Sequence, residues 1–278
     1  MTTPTVVPMS DGASIAAYDF GGDGPPVLLA HATGFHAHAW LPVIAFLSER
    51  FHCYGFDERG HGASPTPPAL DFSWVRFGSD ARAVAAHFGL ERPYAAGHSA
   101  GGALLLRAEE DHPGTWRAVW AYEPVVFPPA ESTMDNPLAA ATRKRKRWFE
   151  SRQAAHANYA SKRPFSEFTP EALDAYLDHG LVDDPAGGVR LACSPEDEAR
   201  TYEESMRSGI WELLGAVRIP VRGVAGGASD HPPAQLLRGV VERLPDATIE
   251  VMDGLGHFGP FEDPYRIAAS MAASFTDA

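Results

Sequence analysis

An apolar segment runs directly into a glycine-rich one at Pro93-Tyr94-Ala95-Ala96-Gly97-His98-Ser99-Ala100-Gly101-Gly102. Tyr94 to His98 can extend as a short strand, and the residues from Ala100 onward suit a tightly packed helix. Ser99 lies at the junction, with one glycine two residues before it and another two residues after it. A serine on a sharp strand-to-helix turn needs such neighbours, because larger side chains would collide with the tight backbone. The segment therefore predicts a serine whose hydroxyl is held clear of the backbone on a sharp turn at the end of a strand.

Strand and helix patterns alternate on both sides of this junction. The run Pro26 to His31 is continuously apolar, as expected of a strand that is buried on both faces. Alternation of this kind predicts a parallel sheet covered by helices. The predicted strands are 5–9, 15–20, 26–31, 51–56, 94–98, 116–122, 218–224 and 248–252, and the predicted helices include 39–50, 74–88, 232–244 and 265–275.

The alternation stops in the middle of the chain. Between residues 127 and 213 the patterns are helical, and two helix starts are marked by Thr169-Pro170-Glu171 and Ser194-Pro195-Glu196-Asp197. Each combines an N-cap residue, a proline in the first turn and an acidic side chain. The sequence thus predicts a core in two parts, residues 1–126 and 214–278, with a helical cap inserted at 127–213.

The composition limits the kinds of molecule that the protein is expected to bind. The net charge of −13 argues against a surface for nucleic acid or for an anionic membrane. The two cysteines, Cys53 and Cys193, do not indicate a disulfide framework. The N-terminus lacks the basic and apolar regions of a signal peptide, and no apolar run approaches the ~18 residues that span a bilayer. We expect a cytoplasmic protein that acts on a small molecule, whose oligomeric state the sequence does not indicate.

Two further loops carry side chains that a serine nucleophile requires. A serine hydroxyl needs a base within hydrogen-bond reach, and the base needs an acid to orient it. Gly254-Leu255-Gly256-His257-Phe258-Gly259-Pro260 follows the last predicted strand, and Gly226-Gly227-Ala228-Ser229-Asp230 follows the strand before it. Because the carboxyl ends of parallel strands meet at one edge of a sheet, these loops can meet Ser99. The chain order is then Ser99, Asp230, His257.

At these residues the sequence resembles the α/β-hydrolase superfamily, and the resemblance extends over nearly the whole chain. It implies an α/β fold with a mostly parallel eight-stranded sheet, helices on both faces and an inserted helical cap. The motifs that carry it are His31-Ala32-Thr33-Gly34, Asp57-x-Arg59-Gly60-His61-Gly62-x-Ser64, Gly97-His98-Ser99-Ala100-Gly101, Gly227-x-x-Asp230, and Gly256-His257 followed by Glu262-Asp263-Pro264.

The resemblance implies a role for each member of the triad. Ser99 would be the nucleophile, His257 the base and then the acid, and Asp230 the residue that orients the histidine. Some relatives place this acid one strand earlier, where the present chain has Glu123. Glu123 is therefore the alternative to Asp230.

An oxyanion hole is expected from two backbone amides. The amide of Ala100, at the start of the helix, is one donor by geometry. The resemblance assigns the second donor to Thr33, with Gly34 as the alternative, because His31-Ala32 replaces the usual His-Gly and can shift the loop.

Three histidines near Thr33 and a basic run later in the chain are not expected to bind a metal or an anion. His31, His36 and His38 are close in sequence, but no carboxylate or cysteine lies near them at ligand spacing and the family uses no metal. Neither a metal nor a cofactor is expected. The basic run 143–147 is interpreted as part of a solvated cap helix rather than as an anion-recognition patch. The residues expected in the substrate pocket are Gly34, Phe35, His36, Trp148 and Phe258.

The function implied is two-step acyl transfer to water, on a small to medium ester, lactone or thioester. Three alternatives remain open. A carbon–carbon bond hydrolase acting on a diketone uses the same triad, a cofactor-free lyase uses the same fold, and a ligand-sensing receptor would keep only a vestigial site.

Overall fold

The computed structural model describes residues 3–129 and 136–276. Its strands are β1 Thr5–Pro8, β2 Ser14–Gly21, β3 Pro26–Ala30, β4 His52–Phe56, β5 Tyr94–His98, β6 Val119–Tyr122, β7 Trp148–Phe149, β8 Leu181–Asp183, β9 Val189–Leu191, β10 Val221–Gly226 and β11 Ala247–Met252. Its α-helices are α1 Leu41–Leu47, α2 Trp74–His87, α3 Ala100–Asp111, α4 Pro137–Thr142, α5 Arg152–Ala160, α6 Pro170–Gly180, α7 Pro195–Ser205, α8 Ile210–Leu213, α9 Pro232–Val241, α10 Gly259–Glu262 and α11 Pro264–Thr276. Short 3₁₀ helices occupy Ala37–Trp40, Phe165–Glu167 and Leu214–Ala216.

The main sheet of the described residues has eight strands in the order β1-β2-β4-β3-β5-β6-β10-β11. Strands β1 and β2 run antiparallel to their neighbours, and the six strands from β4 to β11 pair in parallel. The predicted α/β-hydrolase fold, with an eight-stranded and mostly parallel sheet, is confirmed.

Alternating side chains of the central strands feed two separate cores. In β3, Leu28 and Ala30 pack with helices α2 and α3 on one face, whereas Val27 and Leu29 pack with α1 and α11 on the other. All four side chains are fully buried. This two-sided burial explains why the strand reads as an uninterrupted apolar run.

The segment between β6 and β10 leaves the main sheet. Its described part contains α4 to α8 and a small antiparallel sheet in the order β7-β9-β8. The prediction that this segment is purely helical is therefore wrong at three places. The three strands are only two or three residues long, too short for a period-of-two pattern to be recognised.

The carboxyl ends of the parallel strands bring distant parts of the chain together. Strand β3 leads into the loop 31–36, β5 into Ser99, β6 into Glu123, β10 into the loop 227–231 and β11 into the loop 253–258. Strands β3, β5, β6 and β10 are consecutive neighbours. Their loops therefore form one edge, and the site described next is built there.

None of the helices in the described ranges is both long enough and apolar enough to cross a bilayer.

Candidate active site

Ser99 occupies a strained turn between β5 and α3. Its backbone has φ 56° and ψ −116°, a conformation that L-residues rarely adopt. The turn is held because the Ser99 amide donates to the Tyr122 carbonyl, 2.9 Å away in β6. A Cβ at Gly97 would lie 2.5 Å from the Gly101 carbonyl carbon, and one at Gly101 would lie 2.2 Å from the Ala30 oxygen. Both glycines are thus required by close backbone approach, as the sequence predicts.

His257 is held by the loop that follows β11. The His257 carbonyl accepts a hydrogen bond from Nε2 of His98 at 2.8 Å. The Gly256 carbonyl accepts from the Tyr122 hydroxyl at 2.6 Å, and the Gly256 amide donates to Glu262 Oε2 at 2.7 Å. Burial lowers the pKa of His98 well below its ordinary value, so its ring is neutral and donates through Nε2. Three polar contacts therefore fix the position of a largely buried imidazole.

The acid that contacts His257 is Glu123. Its Oε2 lies 2.6 Å from His257 Nδ1, and its side chain is completely buried. The same carboxylate accepts from the Gly226 amide and from the Ser229 hydroxyl, each at 2.9 Å. These donors compensate for the loss of water around a buried charge. With Nδ1 engaged, the basic nitrogen of the ring is Nε2.

The prediction that Asp230 orients His257 is wrong in this geometry. Asp230 is exposed, and its main-chain carbonyl accepts from the Gln235 side chain at 3.1 Å. The loop after β10 contributes Ser229 and the Gly226 amide to the Glu123 carboxylate instead. The loop after β10 does reach the site, since Ser229 bonds Glu123 and the His231 ring stacks on His257. Asp230 lies between these two residues but is exposed, whereas Glu123 directly follows β6 and bonds the ring.

The expected oxyanion residues come from the start of α3 and from the loop after β3. Ala100 is the first residue of α3, so its amide is one of the unpaired donors at the helix start. Thr33 and Gly34 lie in the loop after β3 and, with Ser99 and His257, line the same cavity. His31 fixes that loop, because its Nδ1 donates to the Ala32 carbonyl at 2.8 Å and its Nε2 accepts from the Glu58 amide at 2.9 Å. The geometry keeps Ala100, Thr33 and Gly34 as candidate donors.

The cavity in front of Ser99 measures about 1250 Å³ over the described residues. Three residues expected in the pocket, Gly34, Phe35 and Phe258, line it. The expectation is wrong for Trp148, which is 47% exposed and donates its indole N–H to the Gly187 carbonyl in the small sheet. It is also wrong for His36, which does not line this cavity and bonds the Tyr176 carbonyl through Nε2 at 2.9 Å.

The basic run 143–147 does not form a solvated helix. Helix α4 ends at Thr142, before the run begins. Arg143 forms ion pairs with Glu196 and Glu203 on the exposed surface. Arg145 turns inward to line the cavity, where it forms an ion pair with the buried Glu198. Burial raises the pKa of Glu198, and the Arg145 guanidinium counteracts that rise. Sequence patterning missed this pair because charges that are 53 positions apart show no periodicity.

A second histidine lies against the catalytic candidate. The rings of His231 and His257 are stacked, with centroids 4.6 Å apart and planes at 18°. Burial and the neighbouring His257 lower the pKa of His231, so the His231 ring is neutral near neutral pH. Nothing in the sequence distinguished His231 from a surface residue at a helix start.

Comparison with known sequences identifies the family. The profile described as "Alpha/beta hydrolase family" matches residues 27–270. The chain is 26% identical over 257 residues to 2-(acetamidomethylene)succinate hydrolase of Mesorhizobium japonicum, which covers 92% of this chain and 90% of the relative. It is 27% identical over 260 residues to N-formylmaleamate deformylase of Pseudomonas putida, covering 88% of this chain and 86% of the relative.

Comparison with solved structures gives the same fold. The crystal structure of E-2-(acetamidomethylene)succinate hydrolase superimposes with a TM-score of 0.84 over the full length of both chains, at 23% identity.

Proposed function

This chain belongs to the α/β hydrolase family and is a hydrolase, and we propose that it cleaves a carboxylic ester, lactone or thioester through an acyl-enzyme on Ser99. The observation that carries the proposal is the hydrogen bond between Glu123 and Nδ1 of His257 at the edge where Ser99 is presented. The proposal includes the division into a core, residues 1–126 and 214–278, and a cap, residues 127–213.

In the proposed mechanism Ser99 attacks the substrate carbonyl while His257 Nε2 removes the hydroxyl proton. The Glu123 carboxylate stabilises the imidazolium that forms, as the acid of such a triad does. Amides of Ala100 and of Thr33 or Gly34 hold the oxyanion. The imidazolium then protonates the leaving group, and a water deprotonated by His257 releases the acid and restores Ser99.

An amide substrate is the second candidate. Two of the relatives that match most of the chain have names that specify an acetamido group and an N-formyl group. The same acyl-enzyme chemistry would open such a bond, with His257 protonating the departing nitrogen. The cavity volume is compatible with a small or medium acyl donor of either kind.

The test is hydrolysis of p-nitrophenyl esters of increasing acyl length, with N-formyl and N-acetyl amides in parallel, by the wild type and Ser99→Ala. We expect the substitution to lower kcat by about 10³-fold or more, since loss of the nucleophile removes the acyl-enzyme route. Thermal unfolding of both proteins provides the control for folding. The best acyl length measures the pocket, and faster turnover of the amides would favour the second candidate.

Equal rates from both proteins would exclude Ser99 as the nucleophile and favour a lyase. If neither ester nor amide is cleaved, the carbon–carbon hydrolase and the vestigial receptor become the better explanations.

A further inference from the structure

The ion pair between Arg145 and Glu198 joins two distant parts of the cap segment, which is defined as the described part of residues 127–213. Arg145 follows the turn after α4, and Glu198 lies in the first turn of α7. The Glu198 side chain is only 5% exposed and that of Arg145 is 25% exposed. Removing one member of such a pair leaves the other charge buried without compensation. The position of each side chain therefore depends on the presence of the other.

This pair lies directly against the loop that carries the second oxyanion donor. A Cβ at Gly34 would be 2.6 Å from Glu198 Oε1 and 3.5 Å from Arg145 Nη1. Gly34 also has φ +81°, a conformation that favours glycine. The Glu198 carboxylate therefore occupies the space that a side chain at position 34 would need.

A tyrosine extends the contact to the next peptide group. The Tyr176 hydroxyl accepts from Arg145 Nη2 at 3.2 Å and donates to the Gly34 carbonyl at 3.4 Å. The Tyr176 carbonyl accepts from His36 Nε2 at 2.9 Å. From the core side, the same loop is held by His31 and by the amide of Ala37, which donates to Asp57 at 2.7 Å. The loop is thus held between the core and the cap segment.

From these contacts we propose that Arg145 and Glu198 are positioning residues that hold the loop 33–35 in the orientation that presents its amide to the oxyanion. The proposal rests on the acyl-enzyme mechanism proposed above. An oxyanion donor works only when it is already directed at the developing charge, so a small rotation of the Ala32–Thr33 or Thr33–Gly34 peptide, which carry the Thr33 and Gly34 amides, weakens transition-state binding. Substrate binding in the ground state depends less on this donor. The pair would then affect kcat more than KM.

The test compares Glu198→Gln and Arg145→Met with the wild type on p-nitrophenyl acetate, a neutral ester. We expect kcat to fall by about 10- to 100-fold, less than or equal to the cost of losing an oxyanion donor outright, with KM nearly unchanged. The affinity of phenylboronic acid, which forms a tetrahedral adduct on the serine, should fall by a similar factor. The double variant should lose no more than the worse single variant, because the two residues act as one unit.

Arg143→Met is the matched control. Arg143 belongs to the same basic run and pairs with the same helix α7 through Glu196 and Glu203, but on the exposed side. Its replacement should leave kcat and the boronate affinity unchanged. Tyr176→Phe removes only one hydroxyl and serves if Glu198→Gln fails to fold, because it breaks the link to the Gly34 carbonyl without leaving a charge unpaired.

Two outcomes would overturn the proposal. The first is a folded Glu198→Gln variant with the kcat and boronate affinity of the wild type or, if that variant does not fold, a Tyr176→Phe variant with these wild-type values. The second is a rise in the KM of Arg145→Met for an anionic ester, such as mono-p-nitrophenyl succinate, with no change on p-nitrophenyl acetate. Arg145 would then be a substrate contact. Failure of the acyl-enzyme mechanism is distinguished separately, because wild type itself would then show no turnover dependent on Ser99.

Discussion

Glu123 accepts hydrogen bonds from three groups at once, and this distinguishes it from Asp230, the other candidate for the acid that orients His257. Its carboxylate bonds His257, Ser229 and the Gly226 amide, whereas Asp230 is exposed at the rim of the same cavity. A carboxylate in this position keeps the imidazole in the tautomer that leaves Nε2 basic.

Replacing each acid by its amide decides which one serves the histidine. Glu123→Gln should lower kcat for an ester by about 10³- to 10⁴-fold, because the amide cannot stabilise an imidazolium and can impose the wrong tautomer. Asp230→Asn should leave kcat unchanged. The measurement is kcat and KM of both variants on one aryl ester, and a large loss in Asp230→Asn with near-normal Glu123→Gln would reverse the assignment.

The residues of the site differ in how far the sequence alone could identify them. Ser99 was predictable because Gly97 and Gly101 are imposed by contacts within a few ångströms of the turn. The acid was not, because both loops reach the site and the choice between Glu123 and Asp230 depends on which side chain turns toward His257. A signal was present, since Glu123 directly follows the strand next to the one that carries Ser99. Arg145 gave no local signal, because its partner lies in another helix.

Among the elements, helix α3 carries a candidate oxyanion donor at its start and a buried carboxyl near its end. Its first residue is Ala100, and it packs against α2 and α8. Near its other end Glu110 is 8% exposed, and within the described residues neither of its carboxylate oxygens has a hydrogen-bond partner. Burial raises the pKa of Glu110 to about 8, and the nearby Asp111 and Glu212 add to that rise while Arg107 opposes it.

This helix should lose stability as the pH rises. A carboxyl whose folded-state pKa is raised stabilises the fold fully below its unfolded pKa, near 4.5, and that contribution is lost as the pH rises through about 8. Glu110→Gln should therefore raise the free energy of unfolding by about 1–3 kcal/mol at pH 9, because it replaces a buried charge by a neutral amide, and by little at pH 4.5. Urea unfolding at both pH values measures it.

The exposed Glu91 provides the control, since Glu91→Gln makes the same change of side chain outside the buried site. A gain from Glu110→Gln that does not depend on pH would contradict the assigned charge state.

Elements of the core were more predictable than those of the cap segment. Strands such as β3 are buried on both faces, and their apolar runs are long enough to be recognised. The helices α6 and α7 begin where their capping residues, Thr169 and Ser194, predict. Strands β7 to β9 exist only because they pair with one another, and two- or three-residue strands carry no pattern of their own.

At the scale of the whole molecule, the core supplies Ser99, Glu123 and His257 from three strand ends, and the cap segment supplies the far wall of the cavity. Aromatic side chains of both parts meet around Phe35, which contacts Tyr176 of α6 and Phe261 of α10 with ring centroids 4.9 and 4.7 Å apart. The loop after β3 is therefore the place where the position of the cap segment and the chemistry of the core are coupled.

If Ser99 carries the acyl group, the acyl-enzyme can be trapped and identified. Wild-type protein is mixed with p-nitrophenyl acetate, quenched in acid within milliseconds, digested and analysed by mass spectrometry. We predict an acetyl group on the peptide that contains Ser99, formed with the initial release of p-nitrophenol and accumulating further in Glu123→Gln if that change slows deacylation more than acylation. Hydrolysis that proceeds with no acetyl group on this peptide, or with the group on another residue, would contradict the account.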